Sequence, residues 1–124
     1  MLDKTLTTID ISGLTGERDL QAFDYTDPFG QPATGFVVRW KGELVAYRNL
    51  CPHWAVPIDH EGSFFDETGR LLMCHHHGAR FDPGSGECTF GPPHGQRLEG
   101  FDVVVLEDGV HAEIRRRSGL ILSF

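Results

Sequence analysis

The chain has 124 residues, enough for a single domain with a core of its own and without disulfide staples. Eleven Lys and Arg against eighteen Asp and Glu leave a net charge of −7. That balance argues against nucleic-acid binding and against attachment to anionic lipid, since both need a basic surface.

The N-terminus carries no sustained apolar segment and no cleavage signature, and no apolar run approaches the roughly 18 residues of a membrane span, so a soluble cytoplasmic protein is expected. Residues 1–35 read as turn-rich and mixed, with Asp27-Pro28-Phe29-Gly30 a clear turn. Residues 36–40 and 44–48 read as two strands of a hairpin around Lys41-Gly42-Glu43. Short strands are expected at 70–74 and 79–82, separated by loops rich in Gly and Pro. Residues 101–107 and 110–116 flank Asp108-Gly109, the dipeptide that type I′ turns prefer, and so read as a second hairpin. A last strand is expected over 120–124, and Arg115-Arg116-Arg117 reads as the solvated edge of a terminal strand. No segment keeps a helical period. The chain is therefore expected to be all-β, with about forty central residues of loops around short strands, and such structured loops are usually functional.

Three Cys are too few, and odd in number, for a disulfide framework; with seven His beside them they direct attention to metal. Two of the cysteines lie in the central loops, each beside a histidine: Cys51-Pro52-His53 and Cys74-His75-His76-His77-Gly78. Thiolate and imidazole are the soft and borderline donors that iron and zinc prefer. A zinc finger commonly draws two Cys from one element and two His from another. Here each loop supplies one of each, which suits two metal ions held between two loops. A mononuclear zinc site remains the rival reading of the same donors.

In this pattern the chain resembles the Rieske family, in which two His replace two Cys on one iron of a [2Fe–2S] cluster. Asn49-Leu50-Cys51-Pro52-His53 is similar to the family's first cluster-binding loop. Cys74 through Gly78, followed by Phe81-Asp82, is similar to the second, and Gly91-Pro92-Pro93 to the proline loop that covers the cluster. The resemblance implies that Cys51 and Cys74 bind one iron, and that His53 and His77 bind the other, more exposed one. His76 competes with His77 for that role. The spacer over residues 54–73 is longer than the family's common form, with the extra length at 61–69.

The resemblance also implies an antiparallel β-sandwich or barrel with a cluster-binding subdomain at about 49–93, within one domain spanning 1–124. The cysteines of the loop-tying disulfide found in high-potential members would fall at Val56 and His76, and the hydroxyl donors to the cluster at Ala79 and Phe81. Both devices are missing, so the resemblance implies the low-potential, ferredoxin-type branch. The chain has no dinucleotide fingerprint, so the expected role is a ferredoxin: an electron carrier, not catalytic alone, between an NAD(P)H-dependent reductase and a terminal oxygenase. The alternatives are a subunit of a larger oxidoreductase resembling nitrite reductase, and a zinc or redox-sensing module. Among the remaining residues, Cys88 reads as a reduced, partly buried thiol, His60, His94 and His111 as surface histidines (His94 with a place near the cluster as the other option), and Phe64 and Phe65 as packing residues. Trp54 reads either as packing beneath the first loop or as an exposed docking aromatic.

Overall fold

The computed structural model describes residues 5–117, which form nine strands and no helix. Six strands make one sheet: β1 (Thr5–Asp10), β2 (Leu20–Thr26), β3 (Pro32–Trp40), β4 (Glu43–Arg48), β8 (Gly100–Val105) and β9 (His111–Arg116). Their order is β1-β9-β8-β4-β3-β2, antiparallel throughout. The edge strands β1 and β2 come into contact, so the sheet curls into a nearly closed barrel. A smaller antiparallel sheet is inserted between β4 and β8: β5 (Leu72–Met73), β6 (Arg80–Phe81) and β7 (Cys88–Phe90). The all-β, barrel-like architecture expected from the sequence is the one found.

The β3–β4 hairpin is the wall between the two sheets. Side chains alternate across a strand, and here both faces are covered. Phe36, paired with Tyr47, joins a core with Ile58, Leu72 and Phe81 of the insert. Val37, paired with Ala46, joins the barrel core with Phe101, Ala112 and Ile114. That is why Phe36, Val37 and Val38 run without a polar interruption and are all fully buried. Tyr47 also pins the insert, because its hydroxyl donates to the Pro83 carbonyl at 2.7 Å and its ring fills the space beside Gly86. A Cβ on Gly86, whose φ is +78°, would lie 2.7 Å from that ring.

Four expectations need correction or restriction. Residues 1–35 hold β1, β2 and the start of β3. These strands are half polar, with Phe23 and Tyr25 pointing inward between exposed Ala22, Asp24 and Thr26, and the turns at either end mask the alternation. The Asp108-Gly109 hairpin does not use a type I′ turn. Only Gly109 of that pair has positive φ, and its N–H bonds back to the Leu106 carbonyl at 3.0 Å, closing a longer turn. The I′ conformation sits instead at Lys41 and Gly42, both with positive φ, between the paired residues Trp40 and Glu43. The arginine run is not at an edge either, because β1 adds outside β9. Arg115 pairs with Glu113 and Arg117 with Asp102. The strand expected at 120–124 lies outside the described residues.

Burial pushes the phenols of Tyr25 and Tyr47 up to about 12 from an ordinary 10. The folded chain then holds protons that the unfolded chain releases, and stability falls with rising pH wherever that holds. Stability is expected to be insensitive to these groups below about pH 10 and to decline between about pH 10 and about pH 12. Denaturant midpoints measured across that window check it.

Candidate metal centre

The two cysteine loops leave the wall and the small sheet with the same backbone closure. In the first, the Cys51 N–H bonds to the Val56 carbonyl at 2.7 Å, and the Ala55 N–H returns to the Cys51 carbonyl at 2.8 Å. In the second, the Cys74 N–H bonds to the Ala79 carbonyl and the Gly78 N–H to the Cys74 carbonyl, both at 2.9 Å. The fifth residue of each loop, Ala55 or Gly78, takes positive φ to make the turn.

Side chains hold the loops to one another. The Asn49 carboxamide accepts from the Ile58 N–H at 2.8 Å and donates to Asp59 at 2.8 Å, closing the base of the first loop. His75 joins the loops: its backbone N–H and its Nδ1 both meet the Ile58 carbonyl at 3.0 Å, and its ring stacks on His60 at 6.1 Å. Asn49→Ala leaves the buried Ile58 N–H without a partner, which costs about 1–3 kcal/mol. The expected result is a lower unfolding midpoint by that amount, read by denaturant titration.

These closures bring the thiols of Cys51 and Cys74 within hydrogen-bonding reach of each other, both buried. Burial pushes the Cys74 thiol up, opposed by the backbone N–H groups of His76 and His77, which point at its sulfur. The rings of His53 and His77 lie 5.8 Å apart, and both residues are exposed. Trp54 packs on both imidazoles, at 5.9 Å and 5.3 Å, while remaining 58% exposed, so it lies on the surface and not beneath the loop. His76 is exposed, its ring 6.5 Å from that of His77. Gly91 of the proline loop packs directly on the second loop, where a Cβ would meet the Ala79 Cα at 3.0 Å, and Pro93 is fully buried.

The donors therefore come as two pairs, thiol beside thiol in the interior and imidazole beside imidazole at the surface. A Rieske cluster needs such pairs, two thiolates for one iron and two imidazoles for the other. The residues fit a [2Fe–2S] cluster of the Rieske kind.

Other predicted residues fall to the side. Cys88 is buried with its Sγ 3.3 Å from the Phe90 carbonyl, and burial pushes its thiol up. All three cysteines are free. Phe64 packs on Phe36 in the insert core, and Phe65 stacks on Trp40. His94 is exposed, its N–H turned onto the Gly91 carbonyl. Asn49 belongs to the first-loop motif, but its clasp is not part of that pattern; an amide directly before a loop that must close on itself is the signal for it.

Residues 16–109 match the sequence profile of the Rieske [2Fe-2S] domain. The chain belongs to the Rieske [2Fe–2S] family. Its cofactor is one Rieske cluster, a one-electron centre. Among solved Rieske structures, the ferredoxin of carbazole 1,9a-dioxygenase from Nocardioides aromaticivorans IC177 is 27% identical, with a TM-score of 0.65 over 93% of this chain and 100% of that one. The terminal oxygenase of carbazole 1,9a-dioxygenase from Novosphingobium sp. KA1 shares the fold, with a TM-score of 0.65 at 16% identity, over 93% of this chain and 31% of that one. Oxidoreductase NdmD of Pseudomonas putida is 36% identical over 53 residues, which are 43% of this chain and 8% of that protein. No helix among the described residues is long and apolar enough to cross a membrane.

Proposed function

We propose that this Rieske protein is a one-electron carrier, the ferredoxin component that takes electrons from an NAD(P)H-dependent reductase and delivers them to a terminal oxygenase. The observation that carries this reading is the end-to-end overlap with a stand-alone dioxygenase ferredoxin, 93% of this chain on 100% of that one. In this reading Cys51 and Cys74 hold the inner iron and His53 and His77 the outer one, within a single domain spanning 1–124 whose cluster-binding subdomain runs from about 49 to 93. The chain is not catalytic alone. When bound, the cluster supplies reversible one-electron chemistry.

The protein residues determine where that electron can go. The thiol end is sealed by the insert core, while the exposed imidazole end meets partners without any opening motion. The net charge of −7 steers the carrier toward basic patches on its redox partners. The cytoplasm, where thiols stay reduced, is the compartment we assign.

Buried Ala79 and Phe81 offer no hydroxyl to the cluster, so its potential is expected in the lower part of the family range of roughly −150 to +300 mV. Potentiometric titration followed by EPR checks this, and a midpoint above about +150 mV contradicts it. The carrier role is tested by NAD(P)H-driven turnover of a partner reductase and oxygenase with and without this chain. Turnover that does not depend on the chain refutes the role.

A further inference from the structure

The extra length of the spacer forms a hairpin. The Asp66 N–H bonds to the Leu71 carbonyl and the Met73 N–H to the Phe64 carbonyl, both at 2.9 Å, and the Gly69 N–H closes the turn on the Asp66 carbonyl at 3.0 Å. The hairpin is tied at two places. Arg18 reaches across from the barrel and donates to the Gly69 carbonyl at 3.3 Å. At the other tie, Arg80 on β6 meets two acids of the turn: its Nε lies 3.3 Å from the carboxylate of Asp66, whose side chain is 3% exposed, and its Nη2 lies 3.2 Å from Glu67.

The remaining arm of that guanidinium, Nη1, donates to the carbonyl of Gly78. Gly78 directly follows His77, and its own N–H closes the second loop on Cys74. Thus one rigid, planar group is fixed to the spacer on one side and, on the other, to the carbonyl of Gly78, the residue that follows His77. Burial pushes the Asp66 carboxyl up, but hydrogen bonds from the Thr68 hydroxyl and backbone, with the Arg80 charge, bring it below the usual carboxylate range. The pair therefore stays ionised near neutral pH. Lysine cannot reproduce the arrangement, because an ammonium lacks the fork that spans three acceptors.

We propose that Arg80 is a positioning residue for His77: it transmits the placement of the spacer hairpin to the carbonyl of Gly78, the residue whose N–H closes the loop on Cys74, and so fixes the orientation of the neighbouring His77 imidazole. The proposal rests on the reading of His77 as a ligand. It gives the long spacer a task, and it couples two charges, Asp66 and Arg80, to the exposed end of the site through a mechanical link.

The test uses the full-length holoprotein, its reduced EPR spectrum and its midpoint potential. Arg80→Gln is expected to shift the g values and broaden the signal. It is also expected to disfavour reduction by about threefold to tenfold, at most about 59 mV for one electron, because a cation beside the site is lost. Asp66→Asn changes charge in the opposite sense, yet is expected to broaden the signal in the same way, since it releases the guanidinium. Arg80→Lys keeps the charge and is expected not to restore the spectrum. It carries the test together with Asp66→Asn if Arg80→Gln does not fold. Arg115→Gln on barrel strand β9 is the charge-matched control and is expected to leave both readouts unmoved. A native spectrum in Arg80→Lys, or in Asp66→Asn, overturns the proposal. An unsubstituted protein without a Rieske signal overturns the ligand reading as well, whereas a normal parent signal with an unmoved Arg80→Gln overturns this proposal alone.

Discussion

His77→Ala is expected to abolish the Rieske EPR signal and the visible colour of the purified protein, while His76→Ala is expected to keep both. The two residues are adjacent and both exposed, so a difference between the variants cannot come from general access to solvent. It follows from placement: the His77 ring meets that of His53 edge-on at 5.8 Å, whereas the His76 ring stands 6.5 Å from that of His77. His53→Ala is expected to behave as His77→Ala does, since an iron left with one imidazole lacks the donor set of the centre. Cys51→Ser and Cys74→Ser are expected to lose the cluster outright and to leave a polar group in the insert core, where both residues are buried. Iron and sulfide analysis of each variant, beside EPR of the dithionite-reduced protein, checks the series. A Rieske spectrum surviving in His77→Ala and lost in His76→Ala moves the ligand by one residue.

The largest effect on stability is expected at Phe36. Its ring is fully buried, 4.6 Å from Phe64 and 5.8 Å from Tyr47, where the barrel wall meets the insert. Removing a buried aromatic ring costs about 3–5 kcal/mol through lost transfer energy and the cavity left behind. That is a large part of the 5–15 kcal/mol typical of a whole domain. Phe36→Ala is therefore expected to lower the unfolding midpoint sharply and to release the cluster at milder temperature. Phe90→Ala, at a residue 65% exposed, is expected to stay within about 0.5 kcal/mol of the parent. Thermal and denaturant unfolding of the two variants side by side gives the comparison.

The parts of the fold legible in the sequence are those whose signals are local. The β3–β4 hairpin announces itself through a short apolar run, a Lys-Gly turn and a second alternating run. The cysteine loops are legible because few chemistries need a thiol and an imidazole two or three residues apart, twice. The Asp108-Gly109 turn was less so, because the dipeptide suits more than one hairpin turn. The structure resolves it by letting the Asp108 carboxylate accept from the N–H groups of Val110 and His111 at 2.8 and 3.0 Å. The arginine run misled because a strand near the end of a chain need not be at the edge of a sheet, and pairing between β1 and β9 joins residues a hundred positions apart. Trp54 has the composition of either a packing or a surface residue, and only the direction of the first loop decides. The partnership of Arg80 with Asp66 leaves no trace in spacing, because it depends on how a hairpin folds back.

The shared wall has a consequence for how the molecule breathes. Amides whose side chains point into two cores exchange with solvent only when both cores open, so residues 36–38 and 45–47 should report global unfolding in hydrogen exchange. The hairpin over 64–73 shares that protection at its inner ends, where Phe64 and Leu72 lie in the insert core, and only its mostly exposed turn at 67–70 opens locally. The two strands behind it and the core ends of the hairpin together remain the fixed frame against which the redox site keeps its shape through each cycle of electron gain and loss.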